Sequence, residues 1–212
     1  MSEQDRAAFW NNRYAERDRI WSGEPNQALV LAAESLRPGR ALDLGCGEGA
    51  DAVWLAERGW QVTAVDISST AVTRAKAFAA GRGIKEDQIT WVVEDLSSWE
   101  PTGPFQLVSA CFFHSPVDFP RATVLKRAAA AVAPGGDLLI VGHAEPPPWA
   151  DAHSHDHHRF LSSAEELADL ELDDKVWTLA TSEVRSREAT VPSRQPATIR
   201  DVITLVHRGP AA

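Results

Sequence analysis

Asp43 stands two residues before the first glycine of Asp43-Leu44-Gly45-Cys46-Gly47-Glu48-Gly49, a run entered from the short apolar stretch Arg40 to Leu44. A strand that passes through glycines into a helix lets backbone N–H groups approach a bulky ligand with no Cβ in the way. The spacing Gly45-x-Gly47-x-x-Ala50 also meets the loose fingerprint of nicotinamide and flavin dinucleotides. Asp43 separates the two readings. Its carboxylate would face the centre of the ligand, where it repels a pyrophosphate and attracts a cationic sulfonium amino acid. Two further acids follow apolar stretches: Asp66 closes Gln61–Asp66, and Asp95 follows Ile89–Val93 in Glu94-Asp95-Leu96. At a strand end the first suits ribose hydroxyls, and the second can accept from an exocyclic adenine amine.

A second set of groups could move protons. His114, after Phe105–Cys111, and His143, after Asp137–Val141, are placed to take a proton from an acceptor hydroxyl or ammonium, because imidazole titrates near working pH. A thiolate, selenide or tellurite acceptor would need no such base. Histidines at strand ends can also be structural, bonded to backbone. Residues 143–158 hold five of the seven histidines, and three prolines forbid a helix across them, so a long loop is expected. His153, His155 and His157 alternate with small or acidic residues, beside Asp151, Asp156 and His158. An extended chain would put three imidazoles on one side, fit to ligate zinc, copper or nickel, or to line an acceptor pocket, or simply to face solvent.

The elements that must position these groups follow from periodicity. A helix starts near Glu48, with Ala52, Val53, Leu55 and Ala56 on one face, and closes at Gly59. Residues 68–80 and 120–132 read as helices. Ala133-Pro134-Gly135-Gly136 reads as a stop before the strand Asp137–Val141. Ser162-Ser163-Ala164-Glu165-Glu166-Leu167 is a capping signature for a short helix to about Leu170, and Val176–Val184 and Ala197–Val206 alternate as strands of a hairpin. At the amino end, Phe9, Trp10, Arg13 and Tyr14 share one face of a predicted amphipathic helix.

On these residues the chain resembles the class I S-adenosylmethionine-dependent methyltransferases over roughly residues 40–143. Asp43-x-Gly45-x-Gly47-x-Gly49 matches the family's first motif, Asp66 its ribose-binding acid, Glu94-Asp95-Leu96 its adenine-side motif and Pro134-Gly135-Gly136 the turn before its fifth strand. The resemblance implies S-adenosyl-L-methionine as cofactor. Asp43 and the glycine turn (Gly45, Gly47) would hold the methionine half, Asp66 both ribose hydroxyls and Asp95 the adenine amine. Ile67 and Leu96 would flank the ring, with Trp10 and Ala110 completing the contacts. Trp10-x-x-Arg13-Tyr14 followed by Trp21 is similar to the entry of thiopurine and tellurite-resistance-type methyltransferases, where this segment folds over the cofactor. Tyr14 and Trp21, with His153 and His155, would then meet the acceptor.

The fold so implied is α/β: a single Rossmann-like, seven-stranded, mostly parallel sheet with helices on both faces and a C-terminal antiparallel hairpin. Its one domain would comprise a helical lid (1–38), the cofactor-binding core (39–143), the histidine-rich loop (144–162) and a C-terminal helix and hairpin (163–212). With 212 residues, 44% hydrophobic and 24% charged, a globular core is expected. A net charge of −9 disfavours nucleic acid and points to a small-molecule substrate. Two cysteines make no disulfide framework, and no signal peptide or membrane span is read, so a cytoplasmic setting is expected. Methyl transfer is an in-line displacement, in which placement alone can contribute up to about 7–11 kcal/mol. Two other classes compete: a non-catalytic protein that binds S-adenosylmethionine or a metal as a sensor or sequestering factor, and a nicotinamide-dependent oxidoreductase.

Overall fold

The computed structural model describes residues 2–146, 160–190 and 196–211. The chain runs α1 (Glu3–Ala15), α2 (Gln27–Ala33), β1 (Arg40–Leu44), α3 (Ala50–Glu57), β2 (Gln61–Asp66), α4 (Ser69–Gly81), β3 (Ile89–Val93), β4 (Phe105–Cys111), α5 (Arg121–Ala130), β5 (Val132–His143), α6 (Ser163–Leu170), β6 (Trp177–Thr190) and β7 (Pro196–Arg208). The strands form one sheet in the order β3-β2-β1-β4-β5-β7-β6. β1 to β5 are parallel, and β7 enters antiparallel between β5 and β6. The expected α/β sheet with its C-terminal hairpin is therefore present. The order reverses beside β1, between β2 and β4, and an open parallel sheet presents its ligand crevice at such a point, beyond the carboxyl ends of the strands.

Each face of the sheet carries its own core. One holds Leu29, Ala41, Val53, Leu55, Trp60 and Leu107; the other holds Leu42, Leu44, Val108, Leu125, Leu138 and Ile140. Successive residues of β1 and β4 therefore alternate between cores, as the period of a strand requires. α3 is buried from Asp51 to Ala56, which is why its apolar residues run on without a polar face. The capping box predicted at Ser162 is formed: its hydroxyl accepts from the Glu165 N–H while the Glu165 carboxylate accepts from the Ser162 N–H.

Several boundaries differ from the sequence expectation. α3 begins at Ala50, because Glu48 lies inside the turn and Gly49 is the cap. α5 ends at Ala130, short of 132. Pro134-Gly135-Gly136 is no stop. β5 already pairs at Val132 with Phe105 and resumes at Asp137 with Leu107, so residues 133–136 bulge opposite Gln106 alone. A Cβ on Gly136 would lie 2.9 Å from the Gln106 carbonyl oxygen, so glycine here permits a close backbone approach within the strand. β6 continues to Thr190 instead of ending at Val184, since its ladder with β7 is maintained to that point. The aromatic face of α1 splits: Tyr14 is buried and Trp10 half-buried, whereas Phe9 and Arg13 face outward.

Candidate active site

β1 delivers Asp43 to the crevice, and the turn after it is pinned by the Gly45 and Cys46 N–H groups, which donate to the Val65 carbonyl at the end of β2. Asp66 closes β2; its carboxylate accepts from the Gly47 N–H (2.9 Å) and the Ser68 N–H (2.8 Å), tying the turn to the second strand. Asp51, in the first turn of α3, accepts from both the backbone and the side-chain amide of Asn26, each at 2.7 Å. Asp43, Asp51 and Asp66 are 2%, 6% and 7% exposed, and among the described residues no Lys or Arg forms an ion pair with any of them. Burial drives all three carboxyls above the usual range, and Asp51 pushes Asp43 further, against the single bond from the Ser109 hydroxyl. Asp43 Oδ2 is buried with no hydrogen-bond partner among the described residues. Burial also raises the thiols of Cys46 and Cys111, and the Cys111 thiol donates to Asp51. An acidic floor of this kind is costly until a cation meets it.

The amino-terminal segment lies over this turn. Gly47 has φ +52°, and a Cβ there would stand 2.9 Å from Tyr14 Oη and 3.4 Å from Trp21 Nε1, so glycine leaves the gap in which the two aromatics settle. Trp21 Nε1–H donates to Tyr14 Oη at 3.1 Å. Burial, and secondarily the charge of Asp66, raises the Tyr14 phenol above its ordinary value. Glu48 anchors the segment, accepting from the Ile20 and Trp21 N–H groups and pairing with Arg74 at 3.0 Å. Asn11 Oδ1 accepts from the Ser68 hydroxyl and the Thr70 N–H at the start of α4. Arg6 reaches across to Asp95 at 2.6 Å. Burial would raise that carboxyl, but Ser97 and Arg6 donate to it and hold it below the usual range.

At the other side of the crevice His114 and His143 stack with ring centroids 6.4 Å apart. His143 Nδ1 meets Asp201 Oδ1 at 2.9 Å, and Arg187 Nε donates to Asp201 Oδ2 at 2.5 Å. The structure thus gathers Tyr14, Trp21, Gly47 and Asp66 on one side, His114 and His143 on another, with Asp43 at the floor near Asp51. Ile67 is half-buried after β2. Leu96 and Ala110 are buried in the second core, so a ligand would meet Ala110 through its backbone. His153, His155 and His157 lie outside the described residues, and among the described residues no group of three His, Cys, Asp or Glu side chains is set to hold a metal ion. Nor is any described helix long and apolar enough to cross a membrane.

Sequence reasoning missed Asp51, Asn26, Arg6, Arg187 and Asp201. A signal existed for Asp201: it shares the inward register of Ile199 and Ile203 along β7, where a charge demands a partner.

The residues present fit a compact ligand bearing positive charge and a ribose. Asp43 Oδ2 is an acceptor awaiting a donor, Asp66 retains lone pairs beyond the two it uses, and the turn admits backbone approach.

A protein-family model described as a methyltransferase domain matches residues 41–136. The chain is 36% identical over 126 residues to 2-heptyl-1-hydroxyquinolin-4(1H)-one methyltransferase of Mycobacteroides abscessus, covering 57% of this chain and 54% of that protein. It is 33% identical over 146 residues to probable thiol methyltransferase 2 of Arabidopsis thaliana, covering 66% and 63%. The chain thus spans little more than half the length of the first relative and under two thirds of the second. Its fold is similar to that of the N-methyltransferase NodS from Bradyrhizobium japonicum, solved with S-adenosyl-l-homocysteine, at a TM-score of 0.67 and 18% identity over 97% of this chain and 100% of that one. With its strand-end acids and reversing sheet order, the chain is similar over residues 41–136 to a methyltransferase domain.

Proposed function

We propose that this protein transfers the methyl group of S-adenosyl-L-methionine to a small-molecule acceptor. The observation that carries this reading is the buried acidic floor, whose least satisfied atom is Asp43 Oδ2. Cationic groups are what such a floor lacks; linked phosphates would be repelled. Asp43 would take the ligand's ammonium, Asp66 its ribose hydroxyls and Asp95 its adenine amine, with Ile67 and Leu96 near the ring. Bound there, the cofactor supplies an electrophilic methyl carbon on a sulfonium. The chain's own work is placement and exclusion of water: residues 1–38 act as a lid over the core 39–143, with Trp10, Tyr14 and Trp21 closing the glycine turn. His114 and His143 face the acceptor space. The reading places the protein in the cytoplasm, acting on a small molecule rather than on nucleic acid.

Calorimetry on the purified chain with S-adenosylhomocysteine and, separately, with NADH tests the reading. The first should bind and the second should not. Label transfer from radiolabelled S-adenosylmethionine then distinguishes an enzyme from a sensor that binds without turnover.

A further inference from the structure

We infer that Asp201 and Arg187 are positioning residues for His143, and that the acceptor is an uncharged aromatic compound carrying an ionisable O–H. The inference rests on the methyl-transfer reading above and narrows its acceptor. His143 ends β5 directly opposite Asp201 in the ladder with β7. Asp201 is 5% exposed and takes a donor on each oxygen, His143 Nδ1 at 2.9 Å and Arg187 Nε at 2.5 Å. A carboxylate can only accept, so Nδ1 of a neutral His143 carries the hydrogen, and the lone pair that can take a proton is on Nε2. Phe112 packs against the imidazole with centroids 4.6 Å apart, and the Arg187 guanidinium lies 5.3 Å from the Phe112 ring. The imidazole is therefore held in plane, tautomer and direction by three side chains.

The surroundings select the acceptor's charge. Phe112, Val141, Ile203, Arg185, Arg187 and Asp201 line a narrow recess. His143 borders a second, tighter one beside His114 and Glu166. Among the described residues, each cation lining the first recess already has a carboxylate: Arg187 has Asp201 and Arg185 has Glu183. The floor behind it is acidic. Among the described residues an oxyanion such as tellurite would meet no uncommitted positive charge in the recess, whereas a neutral ring would meet Phe112, Val141 and Ile203. An uncharged hydroxyl must lose its proton, and an oriented base has work only for such an acceptor. In the step, the acceptor oxygen forms its bond to the methyl carbon as the carbon–sulfur pair leaves with sulfur, now a neutral thioether. The O–H proton passes to Nε2, and Asp201 balances the resulting imidazolium until the proton is released to water.

The test uses the full chain with radiolabelled S-adenosylmethionine and four probes: 2-naphthol, 2-heptyl-1-hydroxyquinolin-4(1H)-one, thiophenol and tellurite. Label should reach an O–H probe. Asp201→Asn and His143→Gln should each lower kcat on 2-naphthol by about 10²- to 10⁴-fold near neutral pH, with KM little changed. The deficit should shrink toward about pH 10, where a phenol ionises unaided. His114 and Glu166 also face this space, so the profile is read as the difference between variant and wild type. Arg187→Gln should give a smaller loss, and Asp201→Glu should restore part of the activity. Should Asp201→Asn fail to fold, ¹⁵N shifts of the wild-type imidazole report the tautomer directly, and hydrogen on Nε2 would overturn the assignment. A deficit equal at every pH, or none, removes Asp201 from the chemistry. Label on thiophenol or tellurite alone, or on no probe while S-adenosylhomocysteine binds, overturns the acceptor class. Absence of S-adenosylhomocysteine binding overturns the methyl-transfer reading itself.

Discussion

Asp43→Asn is the substitution on which the acidic floor makes its sharpest demand. Asparagine keeps the shape and can keep one bond to Ser109, but it replaces the buried acceptor Oδ2 or its neighbour by an NH₂ that donates toward the ligand. The variant loses a charge-assisted bond to the ammonium, about 1.5–3 kcal/mol. At 1.4 kcal/mol per decade, Kd for S-adenosylhomocysteine rises about 10- to 150-fold. Stability of the ligand-free chain should move the other way. Burial and Asp51 raise the Asp43 carboxyl above its unfolded value, so the folded state binds its proton more tightly. That contribution is full below the ordinary carboxylate value and is lost as pH rises through the raised one. Wild type should therefore lose stability across that window, and Asp43→Asn should lose less. Calorimetry with S-adenosylhomocysteine and urea unfolding across pH measure both. A folded variant with wild-type affinity would refute the assignment of the ammonium to Asp43.

Other perturbations test the lid. Gly47→Ala places a side chain at φ +52° and against Tyr14 Oη, so unfolding should cost about 1–2 kcal/mol less, and tryptophan fluorescence should report a displaced Trp21. Glu48→Ala removes the acceptor of the Ile20 and Trp21 N–H groups; limited proteolysis should cut residues 16–25 faster than in wild type. Arg6→Ala leaves Asp95 with Ser97 alone and should destabilise by about 1–3 kcal/mol in urea unfolding at neutral pH. Because the Asp95 carboxyl lies below its unfolded value, its contribution is present above that value and lost as pH falls through the folded one, so the difference between Arg6→Ala and wild type should narrow in acid.

The fold was legible where its signals are local. Strand–glycine–helix order, the acid at the end of β2 and the Ser162 capping box involve neighbours in the chain, and they stand as read. What sequence reasoning missed joins residues far apart. Asn26 meets Asp51 across 25 positions, His143 meets Asp201 across 58, and Arg6 meets Asp95 across 89. Periodicity carries no information on such pairs; only the sheet order brings them together. Pro134-Gly135-Gly136 misled for a related reason: a bulge and a stop use the same residues, and pairing with β4 decides between them. The α1 face split because one helix cannot turn both Phe9 and Tyr14 to the same wall when Tyr14 fills the gap at Gly47.

The most direct measurement is a crystal structure of the protein with S-adenosylhomocysteine. The account predicts the amino group within hydrogen-bonding distance of Asp43 Oδ2 and the ribose hydroxyls on Asp66. Density for the ligand away from the glycine turn, or its carboxylate in place of its ammonium beside Asp43, would contradict it.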